Sequence, residues 1–325
     1  MPSAIAFALV LIGASTVARA AAPESAATES AAAGSLVEAS GDASVEIDAH
    51  TRSAERERFE LRLAVWNAEQ PRRRTRAAET LRSALAVRGA TLEQLIAAAE
   101  RAEDTLLDGT AARLVETTAT QARWRALSDR DAATAWLAKR LDGLASDLAF
   151  QPYLEADLPE GFPQPTLPHD VELKRYPRYR MATAPMGSGR QDGAFWKLFQ
   201  HIQSNEIPMT APVETTYEAD GERMRATTMA FLYEGPEQGR AGEAGAVDVV
   251  DVGEQWVVSM GLRGYDSRER IDAAHAALLE YVAVHGGLEV VGEMRTMGYN
   301  SPMVMGARRT FEVQVPVRVQ LLGDA

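Results

Sequence analysis

One pattern of strands and helices occurs twice in the C-terminal half of the sequence, and it constrains the fold more than any other feature. Residues 171–184 alternate apolar and polar side chains as two short strands, and residues 192–203 carry apolar side chains at helical spacing. Two further strands follow, one on each side of Asp220-Gly221. Residues 246–319 then give the same order again: two strands, a helix and two strands. Each half leaves apolar faces uncovered, so we expect the two halves to pack on each other.

Prolines mark the start of the third strand in this repeat. Pro208 and Pro212 bracket Met-Thr-Ala, and the corresponding segment of the second half, residues 300–303, reads Asn-Ser-Pro-Met. Proline cannot donate a hydrogen bond to a sheet ladder, and it is therefore found at the first residue of a strand, on an edge or at a bulge. We expect the two proline-containing segments to be matching strand entrances where the halves meet.

The first 41 residues have the composition of an export signal and a spacer. The apolar run at residues 4–13 is followed by Ala18-Arg19-Ala20, a small-x-small pattern, which predicts a signal peptide over residues 1–20 that is cleaved after Ala20. We therefore expect a periplasmic or extracellular protein. No Lys or Arg precedes the apolar run, so an uncleaved N-terminal membrane anchor is the alternative. Residues 21–41 are rich in Ala, Ser and Glu and are predicted to be a disordered spacer.

Residues 42–150 have a mainly helical pattern that points to no particular chemistry. Within them, the alternation from Phe59 to Val65 allows one strand. The basic run Arg72–Arg76 is interpreted as a solvated helix start in preference to a basic docking patch. Residues 151–168 hold five prolines and no periodicity, and they are interpreted as a Pro-rich linker or an irregular strap.

Composition excludes several classes of function. The net charge of -12 argues against a nucleic-acid partner, because phosphate binding needs a basic surface. The absence of cysteine excludes disulfides, thiolate metal sites and a catalytic cysteine. No HExxH, GxSxG or phosphate-binding glycine loop is present, so we do not expect an enzyme. Ten of the eleven methionines lie beyond residue 150, and this residue type suits surfaces that adapt to a bulky apolar ligand, although most of them must fill the core.

Several short segments together resemble the SOUL haem-binding protein family. In order they are VELKRYP, LFQHI, IPMTAPV, YDSRERI, GYNSP and RRTFEV, and they extend from about Val171 to Val317. The resemblance implies an α+β fold in which the duplicated β-β-α-β-β unit, residues 169–320, forms a distorted antiparallel β-barrel with two flanking helices. It also implies non-covalent binding of haem or a related tetrapyrrole on an apolar surface beside the first of these helices.

Haem needs an apolar slot, in some proteins an axial ligand, and cations for its propionates. The residues that we expect to contact the cofactor are Phe195, Trp196, Phe199, His201, Met209, Met303, Arg308 and Arg309. His201 lies at the margin of the apolar face of the first helix, so it is the candidate axial iron ligand, with a solvated surface histidine as the alternative. Arg308 and Arg309, together with Lys197, are candidates for the propionates.

A second hypothesis is a sensor or interaction module for another bulky apolar ligand or for a protein partner, with residues 42–150 as the partner surface. The duplicated architecture also resembles sensor domains that bind bulky apolar cations through a buried carboxylate, and Glu214 is the candidate here. His275 falls on the apolar face of the second helix and is interpreted as a core histidine.

Overall fold

The computed structural model describes residues 49–107, 109–187, 192–221 and 223–320. The predicted signal peptide and spacer, residues 1–41, lie outside this part of the chain. A group of helices comes first, and an antiparallel sheet that carries two more helices follows it. Among the described residues, no helix combines the length and the apolar composition needed to cross a membrane.

The N-terminal region is helical, as the sequence predicts. Its helices are α1 (Ala49–Leu85), α2 (Leu92–Leu106), α3 (Thr110–Ala126) and α4 (Arg130–Leu148). Thr91 and Gln94 exchange side-chain to backbone hydrogen bonds at the start of α2, and Asp129 caps α4 through the backbone N–H of Ala132. Leucines and alanines at helical spacing, such as Leu141, are buried where these helices meet. Packing of these apolar faces holds the helices together.

Residues Phe59–Val65 form part of α1, so the prediction of a strand there is wrong. Phe59 and Leu63, four residues apart, are buried against the sheet, whereas Leu61 and Val65 are exposed. In a strand all four side chains would point to one face, but in a helix only every third or fourth residue does. The alternation in the sequence is therefore compatible with either structure, and the contacts with the sheet select the helix.

The basic run Arg72–Arg76 lies inside α1, and the interpretation as a solvated helix start is wrong. The side chain of Arg74 is only 1% exposed. Its guanidinium donates to the Asp170 carboxylate at 2.9 Å and to the carbonyl oxygens of Asp147 at 3.0 Å and Pro168 at 2.9 Å. An arginine is buried in this way only where acceptors replace its water. These acceptors come from distant parts of the chain, so the sequence pattern carried no sign of them.

The second part of the structure is a ten-stranded antiparallel sheet. Its strands are β1 (Val171–Tyr176), β2 (Tyr179–Pro185), β3 (Val213–Asp220), β4 (Arg223–Leu232), β5 (Gly242–Ala244), β6 (Val247–Val252), β7 (Gln255–Arg263), β8 (Leu288–Val290), β9 (Arg295–Gly298) and β10 (Thr310–Val319). They follow the order β1-β7-β10-β9-β3-β4-β2-β6-β5, with β8 paired to β10 beside this path. The turn between β6 and β7 falls at Gly253 and Glu254.

The sheet is not closed into a barrel, so that part of the predicted fold is wrong. Strands β1 and β5 are the two ends of the path, and they do not pair with each other. Strand β5 has only three residues, all of them exposed, and so short an edge cannot close a ladder with the six residues of β1. The correct description is α+β with an open antiparallel sheet.

Two helices flank the sheet, as the sequence predicts. They are α5 (Asp192–Ser204) and α6 (Arg268–Val284). Helix α5 packs on β2, β4 and β6, whereas α6 packs mainly on β7 and β10. The elements of each half follow the order strand, strand, helix, strand, strand, with β5 and β8 as additions. Element order alone does not establish a duplication, so the duplicated unit stays a prediction.

The two proline-containing segments do not occupy matching positions. Pro212 directly precedes β3, which begins at Val213, so this segment is a strand entrance. Pro302 instead lies in the turn that follows β9, because β9 ends at Gly298 and β10 does not begin until Thr310. The predicted match therefore fails for the second half, where the shorter strand ends before the proline is reached.

Residues 151–168, which we call the strap, follow an irregular path and pack against the sheet. The ring of Phe162 meets the rings of Tyr176 and Tyr179 edge-on, with centroids 4.9 Å and 5.1 Å apart. All three side chains are buried. Edge-to-face contacts of this kind stabilise a buried aromatic cluster beyond the area that it removes from water. The strap is thus part of the core that covers this end of the sheet.

A close contact between the strap and β7 depends on glycine. A Cβ placed on Gly261 would lie 2.1 Å from the carbonyl oxygen of Thr166 and 2.5 Å from that of Leu167. Pro168 also forms an isolated bridge with Gly261. Only a residue without a side chain lets the two backbones approach so closely.

Candidate functional site

Helix α5 carries the aromatic residues that are predicted to contact haem, and they lie on a different face from the residues that pack in the core. Leu198 and Ile202 are buried against the sheet. Trp196, in contrast, is 57% exposed, and Phe195 and Phe199 are half-buried at the edge of the same cluster. The helix therefore has one face in the core and an aromatic margin that solvent reaches.

The aromatic rings of this margin contact one another. Phe195 and Phe199 stack with their centroids 6.0 Å apart and their planes 12° apart. The indole of Trp196 meets both phenylalanine rings edge-on, at 5.8 Å and 5.7 Å. We call Phe195, Trp196 and Phe199 the α5 aromatic surface. Its rings offer apolar area, part of it in solvent, that a flat apolar ligand would cover.

His201 lies one turn beyond Lys197 on α5, and its imidazole is half-buried. Its Nε2 lies 2.7 Å from the hydroxyl of Tyr233, and the two rings stack at 6.4 Å. Burial lowers the pKa of His201, which favours the neutral imidazole that can bind iron. An axial bond through Nε2 would replace the hydrogen bond to Tyr233. Among the described residues, no group of three or more His, Asp or Glu side chains is placed to hold a metal ion.

Arg308 and Arg309, which are predicted to bind the propionates, are the last two residues of the loop between β9 and β10. The guanidinium of Arg309 donates to the carbonyl oxygen of Ser301 at 2.6 Å and lies over the ring of Tyr265 at 5.3 Å. The guanidinium of Arg308 lies over the ring of Tyr153, in the strap, at 4.9 Å. These arginines therefore pack beside the strap and the end of β7, whereas α5 packs on β2, β4 and β6. Their role as propionate ligands stays a prediction.

The two methionines that are predicted to contact haem, Met209 and Met303, lie in different loops. Met209 is exposed in the segment between α5 and β3, and Met303 is 88% exposed in the loop between β9 and β10. Lys197 is exposed on α5, and no ion pair of its side chain occurs within the described part of the chain. Of the three cations predicted to bind the propionates, Lys197 is thus the one that lies on α5 together with the α5 aromatic surface.

The centre of the sheet contains a buried polar network that sequence reasoning did not find. Glu312, which has no exposed surface, accepts hydrogen bonds from the ammonium of Lys174, the hydroxyl of Tyr299 at 2.6 Å and the amide of Gln314 at 2.8 Å. Burial alone would raise the pKa of Glu312, but Lys174 and the hydrogen bonds hold it below its usual value. The carboxylate is therefore ionised and fully partnered.

A second buried ion pair extends this network across the sheet. The guanidinium of Arg295, in β9, donates to the Glu214 carboxylate at 3.1 Å, to the Tyr179 hydroxyl at 2.7 Å and to the Gln314 side chain at 3.0 Å. Strands β9 and β2 are separated by β3 and β4 in the sheet, so the bond to Tyr179 requires the sheet to curl. Glu214 is buried, as the cation-sensor hypothesis requires, but Arg295 already balances its charge.

The motifs behind the family resemblance supply much of this network. Lys174 and Tyr176 belong to VELKRYP, Tyr299 belongs to GYNSP, and Glu312 belongs to RRTFEV. The residues of the network therefore stand in recognisable motifs, but a sequence does not show which strands lie side by side and bring their side chains together. These motifs specify the interior of the fold, since a buried polar group must find its partners.

Comparison with known proteins agrees with the resemblance. The family model described as SOUL heme-binding protein matches residues 164–316. The C-terminal half of this chain belongs to the SOUL family. A comparison with curated proteins gives no match.

Several solved structures are similar to part of the chain. The EcmrR C-terminal domain is 16% identical, with 46% of this chain and 98% of that chain covered and a TM-score of 0.37. A hydrolase from Listeria innocua is 13% identical over 47% and 93% of the two chains, with a TM-score of 0.36. SAV2435 bound to tetraphenylphosphonium is 11% identical over 46% and 94%, with a TM-score of 0.29. Similarities at this level carry no argument about function.

Proposed function

We propose that the SOUL segment, residues 164–316, binds haem or a related tetrapyrrole without a covalent bond, on the α5 aromatic surface. The observation that carries the proposal is the exposure of Trp196, 57%, beside the half-buried rings of Phe195 and Phe199. Membership of the SOUL family supports the class of ligand. A flat macrocycle covers flat aromatic faces, and the apolar area removed from water provides most of the affinity.

The residues on α5 fit a mode of binding in which iron ligation is secondary. The aromatic side chains are already exposed in part, whereas His201 must first leave Tyr233 if Nε2 is to bind iron. Lys197 supports the proposal as a cation for a propionate, because a long, exposed ammonium side chain reaches a carboxylate without loss of an existing partner. A bound tetrapyrrole would supply light absorption and, as haem, a redox-active iron.

The test is a titration of the full chain with haemin, followed by the Soret band. We expect a shifted band that saturates at about one haemin per chain at micromolar concentrations. A parallel titration with metal-free protoporphyrin separates ring contacts from iron ligation, and we expect comparable affinity. The absence of any spectral change at micromolar haemin would refute the proposal.

We also propose that the chain works outside the cytoplasm. The proposal is supported by the apolar run at residues 4–13 and the small-x-small pattern Ala18-Arg19-Ala20. The absence of cysteine is compatible with an oxidising compartment, because no thiol is available to form a wrong disulfide there.

A further inference from the structure

A cleft of about 610 Å³ lies between α1, β1 and the strap, in a different part of the molecule from the α5 aromatic surface. One wall is a face of α1 that includes Leu63, Ala64 and Ala68. The opposite wall contains Leu173 of β1 and Trp256 of β7. A cleft of this volume with mainly apolar walls is typical of small-molecule sites.

The small residues on α1 explain why space remains here. Ala64 and Ala68 line the cleft and are exposed, so no side chain beyond Cβ reaches into it from these positions. Beside them, the ring of Phe59 packs against Trp256 with centroids 6.0 Å apart and holds α1 against the sheet. The walls are therefore fixed by core contacts, and the cleft does not depend on a loose segment.

The polar end of the cleft is negatively charged. Glu172 and Lys174 both line it. The ammonium of Lys174 is committed to the Glu312 carboxylate and to the carbonyl oxygen of Gln164 at 2.6 Å, and it is 3.7 Å from Glu172. Two carboxylates thus share one ammonium, which leaves one negative charge when both are ionised.

Glu172 is the carboxylate with spare capacity. Its Oε2 accepts a hydrogen bond from the hydroxyl of Thr166 at 3.2 Å, and within the described residues its Oε1 makes none. Burial raises the pKa of Glu172 to about 7; Lys174 lowers it in part, and the nearby carboxylates of Asp170 and Glu312 raise it further. A cation placed against Oε1 would favour the ionised form and complete the hydrogen bonding of this side chain.

We propose that this cleft binds an amphipathic amine, with its apolar body between Leu63, Ala68 and Trp256 and its ammonium on the carboxylate of Glu172. The apolar walls select the body of the ligand, and the excess negative charge selects its head group. A carboxylate head group is disfavoured because both cations that line the cleft are already paired, Lys174 with Glu312 and Arg175 with Glu60 and Glu254. The proposal does not depend on haem binding, since Trp196 and Phe199 take no part in it.

The test is calorimetric titration of the full chain at pH 8 with decylamine, decanol and decanoate, each below its micelle-forming concentration. We expect decylamine to bind about tenfold or more tightly than decanol, because a hydrogen bond to a charged group is among the stronger ones, and decanoate to bind least. Undetectable decylamine binding, or equal affinity for the three probes, would overturn the proposal.

Variants locate the site. Glu172→Gln keeps the shape of the side chain and should abolish the preference for decylamine over decanol. Ala68→Leu should fill the cleft and weaken the binding of both decylamine and decanol. If circular dichroism shows that this variant does not fold, Ala64→Leu replaces it, with the same expected result. Trp124→Ala, at an exposed tryptophan on α3, should leave both affinities unchanged. If Ala68→Leu and Ala64→Leu fold and bind decylamine like the parent chain, the ligand is elsewhere and the assignment is wrong.

Discussion

The guanidinium of Arg74 in α1 and the carboxylate of Asp170, directly before β1, form an ion pair with an N–O distance of 2.9 Å and almost no solvent contact. Burial raises the pKa of Asp170, and the charge of Arg74 opposes that rise. The same arginine donates to two carbonyl oxygens, at Asp147 and Pro168. This buried arginine is thus one of the links between the helical region and the sheet, through its two terminal nitrogens.

Arg74→Ala should lower the free energy of unfolding by about 3–5 kcal/mol, because it leaves the buried carboxylate of Asp170 without its partner. Arg73→Ala is the matched control. Arg73 pairs with Glu69 on the surface of the same helix, and loss of such a pair costs about 1 kcal/mol or less. Urea denaturation followed by tryptophan fluorescence measures both. Equal losses in the two variants would show that the buried pair contributes no more than the surface one.

The double substitution Trp196→Ala with Phe199→Ala should weaken haemin binding by about tenfold or more, because it removes most of the apolar area that we assign to the ligand. His201→Ala should change the bound spectrum only modestly. Trp124→Ala, at a tryptophan that is 70% exposed on α3, is the control and should leave the affinity unchanged. Loss of binding in His201→Ala alone, with the aromatic substitutions silent, would contradict an apolar mode of binding.

Glu172 should make the protein less stable as the pH rises from about 4.5 to about 7. Burial raises the pKa of Glu172 to about 7 in the folded state, so the folded chain binds this proton more tightly than the unfolded chain does. Its favourable contribution is complete below pH 4.5 and is lost through pH 7, by about 3 kcal/mol in total.

The measurement is the free energy of unfolding at pH 5 and pH 8 in the parent chain and in Glu172→Gln. The variant should lose this part of the pH dependence. Glu60→Gln is the control and should keep it. This variant removes a carboxylate that lines the same cleft and is paired with Arg175. An unchanged slope in Glu172→Gln would mean that another group titrates.

Gly261→Ala should destabilise the sheet by about 1–3 kcal/mol, as other substitutions that overfill a packed site do. Its Cβ would strike the carbonyl oxygens of Thr166 and Leu167 in the strap. Gly253→Ala is the control, because nothing lies within 4 Å of a Cβ at that turn. The measurement is the melting temperature of each variant relative to the parent chain. Similar melting temperatures in the two variants would show that the strap can move away from residue 261 without loss of stability.

The exported protein should have an intact mass that corresponds to a chain beginning at Ala21. Mass spectrometry of the protein recovered from the periplasm or the medium tests this directly. Retention of residues 1–20 would favour the membrane-anchored alternative. Recovery of the protein with the membrane fraction would support that alternative independently.

The sequence predicts those parts of the fold that depend on residues close together in the chain. The faces of α5 and α6 follow from apolar spacing, and the turn at Gly253 follows from its residue type. Partners that are far apart in the chain left no local trace: Arg74 meets Asp170 across 96 residues, and Arg295 meets Tyr179 across 116. The same limit applies to the sites, since aromatic residues on one helix are visible in the sequence and a cleft between three segments is not.

The buried network around Arg295 and Glu312 also limits where a large ligand can bind and how it would dissociate. Because polar side chains fill the centre of the curled sheet, the interior is closed to a large apolar ring. A tetrapyrrole bound on α5, as we propose, would therefore lie on the outside of the sheet, and its departure would need no opening of the fold. Under the proposed mode of binding, the rate of release would depend on the contacts with the α5 aromatic surface.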